Sequence, residues 1–345
     1  CFSFPFPLGM ALSYQFSRLR TTKRRWKSVN PRLHFINWSY LNPFSPFRSR
    51  FSCAIIEDEV NPMTHEQNER LLTLLSEYLC FQPDAIAPAD VAAFSADAHL
   101  PQEDAYRMLL SAKLGLDPDR AEDWLLIRDA LPKIIRHCDP ADYAQDEYLR
   151  RIAPISGQHG HATLTQDVIL PMELFVRDDF LPLDDGTCLP QLGWFDTSFR
   201  FPAVKENNLV WMTVTPNEIN TIQPCVRQSH GKVLTFGLGL GYYAFHCLLK
   251  PDVRRVTVVE RDPDIISLFR ALLLPHFPRP DALEIIQADA FDFAPKHLPA
   301  YDVVFTDLWH DVSDGLPLYQ QMKALEVPGV KYLYWIEQTL RCYLR

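Results

Sequence analysis

The stretch Gly231-Lys-Val-Leu-Thr-Phe-Gly237-Leu-Gly239-Leu-Gly241-Tyr-Tyr-Ala-Phe-His-Cys-Leu-Leu249 decides the fold. Val233 to Phe236 is a short apolar run bounded by turn residues, the pattern of a buried strand. Three alternating glycines follow, and then Tyr242 to Leu249, an apolar helix-compatible run that ends before Lys250-Pro251. Strand, glycine turn and helix together cradle a nucleotide or nucleoside. Glycines let the backbone turn tightly and approach the ligand, and the free N–H groups of the helix start point at it.

Spacing helps to choose the ligand. A dinucleotide fingerprint, G-x-G-x-x-G/A, needs a small residue at position 242, where Tyr242 stands. The pattern present is G-x-G-x-G. Downstream, Arg254 to Glu260 is a second strand ending in an acid, and Glu260 lies 19 residues after Gly241. An acid there can accept hydrogen bonds from both hydroxyls of a ribose. Leu283 to Asp289-Ala290 is a third strand, and Tyr301 to Asp307 a fourth, followed by Leu308-Trp-His310-Asp311. Four apolar strands with helix-length spacers imply a parallel, doubly wound, Rossmann-like sheet, with the strand-end acids on the edge facing the glycine turn.

Residues 231–311 resemble the core of the class I S-adenosylmethionine (SAM) dependent transferases. Val258-Val-Glu260-Arg-Asp262-Pro263-Asp264 is similar to the corresponding stretch of the spermidine synthase branch. The resemblance implies roles by position. Gly237, Gly239 and Gly241 approach the amino-acid tail and ribose of SAM, and Glu260 holds the ribose hydroxyls. Asp289 and the backbone of Ala290 face the adenine. Asp307 sits beside the reacting centre, where its counterpart in the spermidine synthases helps to deprotonate an attacking amine. Asp311 is a candidate second carboxylate for a cationic substrate, and His310 a candidate base. The same resemblance places an extra helix, beginning near Thr215, ahead of the first core strand.

Departures from the family pattern matter as well. Methyltransferases commonly carry an acid two residues before the first glycine, where this chain has Thr235. Spermidine synthases have a more glycine- and acid-rich turn than Leu238 and Leu240 provide, and their amino-terminal β-domain is not obviously matched. The expectation is a SAM-dependent methyltransferase acting on a small-molecule acceptor, because the broader family accepts more variation around this core. The alternatives are aminopropyl transfer from decarboxylated SAM and a non-catalytic SAM-binding module; Tyr242 disfavours NAD.

Upstream the chain changes character several times. Residues 1–62 hold nine basic residues and three acids and are rich in Phe, Ser and Pro, which reads as a disordered or mis-assigned leader. A capping box at Thr64-His-Glu-Gln67 marks the start of folded chain near Met63. Residues 63–150 carry helical periodicity, a candidate packing subdomain, lid or dimerisation element, with Pro132 forcing a kink or break. Residues 151–214 carry hairpin signals and predict a small antiparallel β-region, and 215–345 form the transferase core. Gln158-His-Gly-His161 reads as a polar loop, because a lone His-x-His supplies too few ligands for a metal.

Composition narrows the function classes. A net charge of −9 argues against a nucleic-acid-binding surface spread over the whole protein. No apolar run approaches the ~20 residues that span a bilayer. Eight scattered cysteines without a C-x-x-C read as reduced thiols of a cytoplasmic protein.

Overall fold

The computed structural model describes residues 63–184, 186–206 and 209–344. The expectation for residues 1–62 lies outside the described residues. Helix α1 (His65–Phe81) opens with the capping box, Gln67 N donating to Thr64 Oγ1 at 3.2 Å and Thr64 N to Gln67 Oε1 at 2.9 Å. Its stripe Leu71, Leu75, Tyr78 and Leu79 is buried. Helices α2 (Pro88–Ala98) and α3 (Gln102–Lys113) follow. The latter ends at Gly115, φ +73°, with Leu116 N bonded to Ser111 O and Gly115 N to Ala112 O. This pair of bonds is a Schellman stop, which satisfies carbonyls that the helix leaves open.

The break expected at Pro132 takes a definite form. Helix α4 (Ala121–Leu125) widens into a π-turn over Leu126–Ala130, continues as α5 (Leu131–Ile134), and gives way to strand β1 (Ile135–His137). The wider turn absorbs the hydrogen bond that proline cannot make. Two short helices, α6 (Pro140–Ala144) and α7 (Glu147–Ile152), complete this part.

Next come β2 (Gly157–His159), β3 (Ala162–Ile169), β4 (Phe175–Pro182), β5 (Cys188–Trp194), β6 (Phe199–Glu206) and β7 (Leu209–Thr213). The antiparallel region is present, but as two sheets. One runs β2-β3-β6-β7, all antiparallel. The other runs β1-β5-β4, with β1 parallel to β5. Strand β5 is buried along nearly its whole length, and Trp194 stacks on Tyr106 of α3 with ring centroids 4.5 Å apart. This second sheet therefore belongs to the core of the helical part.

Helix α8 (Pro216–Gln228) leads into the main sheet. That sheet contains β8 (Gly231–Phe236), β9 (Val253–Glu260), β10 (Leu283–Gln287), β11 (Val303–Thr306) and β12 (Lys331–Tyr334), in the order β10-β9-β8-β11-β12, with every pairing parallel. Helices α9 (Tyr242–Leu249), α10 (Pro263–Leu268), α11 (Ala290–His297), α12 (Val312–Lys323) and α13 (Glu337–Cys342) connect or follow the strands. The doubly wound, Rossmann-like expectation is met. Strand order reverses between β8 and β11, which opens a crevice at the strands' carboxyl ends.

The thiol expectation needs correction. Cys188 on β5 and Cys342 on α13 are joined by a disulfide across 154 residues of sequence, whereas Cys138, Cys225 and Cys247 are thiols. No short motif could announce it, because the pairing follows from α13 packing on β4, the neighbour of β5. Among the described residues no helix is long and apolar enough to cross a membrane.

Candidate functional site

The glycine turn follows β8 with a division of labour that its sequence encodes. Leu238 and Leu240 are buried, 5% and 3% exposed, so their side chains anchor the turn in the core and the intervening glycines present bare backbone. Gly237, Gly239 and Gly241 have φ of +90°, +53° and +77°. At Gly237 a Cβ would lie 2.0 Å from the backbone oxygen of Asp307, so the ends of β8 and β11 touch only because that Cβ is missing. A Cβ on Gly241 would lie 2.6 Å from Phe269 and 2.7 Å from Phe277.

The turn is also braced from the helical part. Tyr148 of α7 donates its hydroxyl to Leu240 O at 2.6 Å. Asp146, the N-cap of α7, accepts from the Tyr242 hydroxyl at 2.8 Å, and its Oδ2 lies 3.2 Å from His246 Nε2. Tyr242, the residue that departs from the dinucleotide fingerprint, is thus a buried strut whose hydroxyl also accepts from Gln223 Nε2 at 2.9 Å.

A cavity of 410 Å³ opens along the turn, within the range of small-molecule sites. Gly237, Gly239, Gly241, Glu260, Asp289, Ala290, Asp307 and His310 all line it, so these predicted site residues are brought together. Glu260 ends β9. Its Oε2 accepts from Leu238 N at 3.1 Å and its Oε1 from Asp262 N at 2.9 Å, which fixes the carboxylate beside the turn. Asp289 is the N-cap of α11 and accepts from Phe291 N and Asp292 N.

Asp307 follows β11. Loss of water pushes its carboxyl up to about 7, the nearby Glu218 carboxylate adds to the rise, and His310 opposes it. Glu218 also lines the cavity, and burial raises its carboxyl above the ordinary range. It is one of the lining acids that sequence reasoning missed, with Asp167, Glu173 and Asp314. Thr213 Oγ1 donates to it at 2.7 Å and Thr215 N at 2.8 Å, and the Thr215 hydroxyl donates as well. In the sequence Thr215-Pro-Asn-Glu218 reads as the capping box of α8, a sufficient explanation that conceals a second position in the cleft.

His310 is paired. Its Nδ1 lies 3.0 Å from Asp314 Oδ2, and this contact raises its pKa above the ordinary histidine value. Its ring packs edge-on against Trp211 at 4.3 Å. Asp311, expected to offer a second carboxylate to a cationic substrate, is not among the residues lining the cavity. It caps α12, accepting from Ser313 N at 2.6 Å and Ser313 Oγ at 2.5 Å, and is 4% exposed. Asp311-Val-Ser-Asp314 is a helix-start pattern, and the orphan N–H groups of the helix claim the carboxylate.

Known families and curated proteins give no match to this sequence. Similar solved structures exist at low similarity. Spermidine synthase from Thermotoga maritima has 17% identity and a TM-score of 0.29, covering 51% of this chain and 52% of its own. A spermidine synthase in complex with the transition-state analogue AdoDATO has 16% identity and the same TM-score and coverage. Precorrin-8w decarboxylase from Methanobacterium thermoautotrophicum has 22% identity and a TM-score of 0.25, covering 35% of this chain and 63% of its own. The chain therefore spans about half the length of the two synthases. The fold assignment rests on the strand order and the glycine turn.

Proposed function

We propose that this chain is a transferase for a SAM-type sulfonium, moving one of its alkyl groups to an amine acceptor. One observation carries the reading: across the β8–β11 crevice, the glycine turn, the Glu260 carboxylate and the Asp307 carboxyl face a single cavity. The glycine turn presents bare backbone to the cavity at Gly239, where a nucleoside can approach, and Glu260, already held by two backbone N–H groups, has lone pairs left for ribose hydroxyls. A sulfonium makes each attached carbon electrophilic. As the amine's N–C bond forms, the S–C bond breaks and the sulfur keeps the electron pair. Asp307 takes the amine's proton, a task suited to a carboxyl that titrates near 7. Holding donor and acceptor in line supplies much of the remaining rate.

Which group moves depends on the donor's tail. Methyl transfer from SAM is the reading that the breadth of the resembled family favours. Aminopropyl transfer from decarboxylated SAM is the second, and the charge of the cavity favours it. Among the described residues the charged lining is mostly acidic, with Arg261 as its arginine, which suits a cationic tail and acceptor better than a tail carboxylate.

Calorimetric titration with SAM, decarboxylated SAM and NAD tests the proposal. Tight binding of SAM alone supports methyl transfer, and preference for the decarboxylated form supports aminopropyl transfer. Preference for NAD, or binding of none of the three, would overturn the sulfonium reading.

A further inference from the structure

We propose a divalent transition-metal site, of the Zn²⁺ or Mn²⁺ class, formed by His161, Glu206 and Asp262 at the joint between the β2-β3-β6-β7 sheet and the parallel sheet. The proposal stands apart from the sulfonium reading. One ligand atom from each residue lies within 4.8 Å of the others. His161 Nε2 is 3.3 Å from Asp262 Oδ2 and 3.7 Å from Glu206 Oε1. Ligands held at about 2.1 Å around a tetrahedral ion sit about 3.4 Å from one another, so these separations fit a common centre without rearranging the backbone.

Each ligand is aimed by the chain around it. Asp262 caps α10, where its Oδ1 accepts from Asp264 N at 2.8 Å and from Ile265 N at 3.2 Å, leaving Oδ2 turned to His161. Register sets Glu206 opposite Ala162 in the β3–β6 pair, one residue from His161. The His161 ring is oriented from behind by Asp264, whose Oδ2 lies 2.6 Å from Nδ1 and accepts His161 N at 3.2 Å. Gly160 makes this approach possible, since a Cβ there would lie 2.0 Å from Asp264 Oδ2. A carboxylate on one imidazole nitrogen with the other directed at ligands is the arrangement that fixes a metal-binding histidine.

Oxygen-rich ligation with one imidazole suits divalent first-row metals. Three protein ligands leave a position for water. His161 is 35% exposed, so an ion has access. Of the His-x-His pattern only the second histidine takes part, and its partners lie 45 and 101 residues further along the chain. Bound there, the ion clips the strand-end loop next to Glu260 onto the antiparallel sheet.

The test is calorimetric titration of the full chain with Zn²⁺ and Mn²⁺, repeated on His161→Gln and Glu206→Gln, with circular dichroism to check folding. Co²⁺ absorption serves as a probe of ligand type. The expected result is one ion per chain, at least about 100-fold weaker binding in either folded variant, and ligand-field bands without thiolate charge transfer. Glu206→Gln lies at a strand end and keeps the test open if His161→Gln does not fold. Absence of binding, unchanged affinity in a folded variant, or thiolate charge transfer would each overturn the site.

Discussion

Asp307 and Glu260 line the same cleft and are held there in different ways. Asp307 titrates higher in the folded protein than in the unfolded chain, so the fold holds its proton more tightly. The stability this provides is complete below the ordinary value of 3.8 and is lost as pH rises through about 7. Asp307→Asn should therefore raise stability at pH 8 by about 1–3 kcal/mol and leave it unchanged at pH 4. Denaturant melts at both pH values would show this, and equal effects would remove the buried-charge explanation. The proposed base role requires the group to be ionised, so kcat/KM of the wild type should climb with pH through about 7. Glu260, by contrast, is held by two backbone donors. Glu260→Ala should weaken SAM binding by roughly 1–3 kcal/mol; unchanged affinity in a folded variant would sink the ribose assignment. At this scale legibility depended on how local a role is. Glu260 and Asp307 were readable because each ends an apolar run that places it at the sheet edge. Asp311 was misread because a carboxylate at a helix start and one in a cleft look alike until the neighbouring N–H groups are located.

Among elements, α7 braces the glycine turn that forms one wall of the cleft. Tyr148 is fully buried and its hydroxyl donates to Leu240 O. Tyr148→Phe keeps the ring and its edge-on contacts with Tyr242 and Phe245 but strands that carbonyl. The expected cost is about 1–3 kcal/mol in thermal or denaturant unfolding, with a larger loss of donor affinity than a remote variant of equal cost would show. If affinity is unaffected, the brace is structural only. The core strands, with the glycine turn after the first, were legible because each is a continuous apolar run closed by a polar residue. Strand β1 was not, since Ile135-Arg-His137 is three residues at the end of a helical pattern and becomes a strand only through β5 beside it.

For the whole molecule, the informative link is the Cys188–Cys342 disulfide, which closes a loop containing the entire parallel sheet. Cross-linking so long a loop restricts the unfolded chain, and Cys188→Ser should cost about 2–4 kcal/mol of stability. The difference between wild type and variant should vanish in reductant; its persistence would point to lost packing at β5 instead. Nothing in the sequence marks this pair, because long-range partners are chosen by how α13 seats on β4. Asp179 of β4 receives Thr339 N at 2.8 Å and Gln338 N at 3.2 Å, a seat with no local signature.

That closed loop has a consequence for how the protein breaks. A protease that nicks one exposed segment between residues 188 and 342 cuts the chain without releasing a piece, because the bridge still joins both sides. On a denaturing gel the nicked protein should migrate as one band until a thiol is added and as two fragments afterwards. The connector 325–330, which carries Gly329 at φ +85°, is a convenient place to look for the first cut.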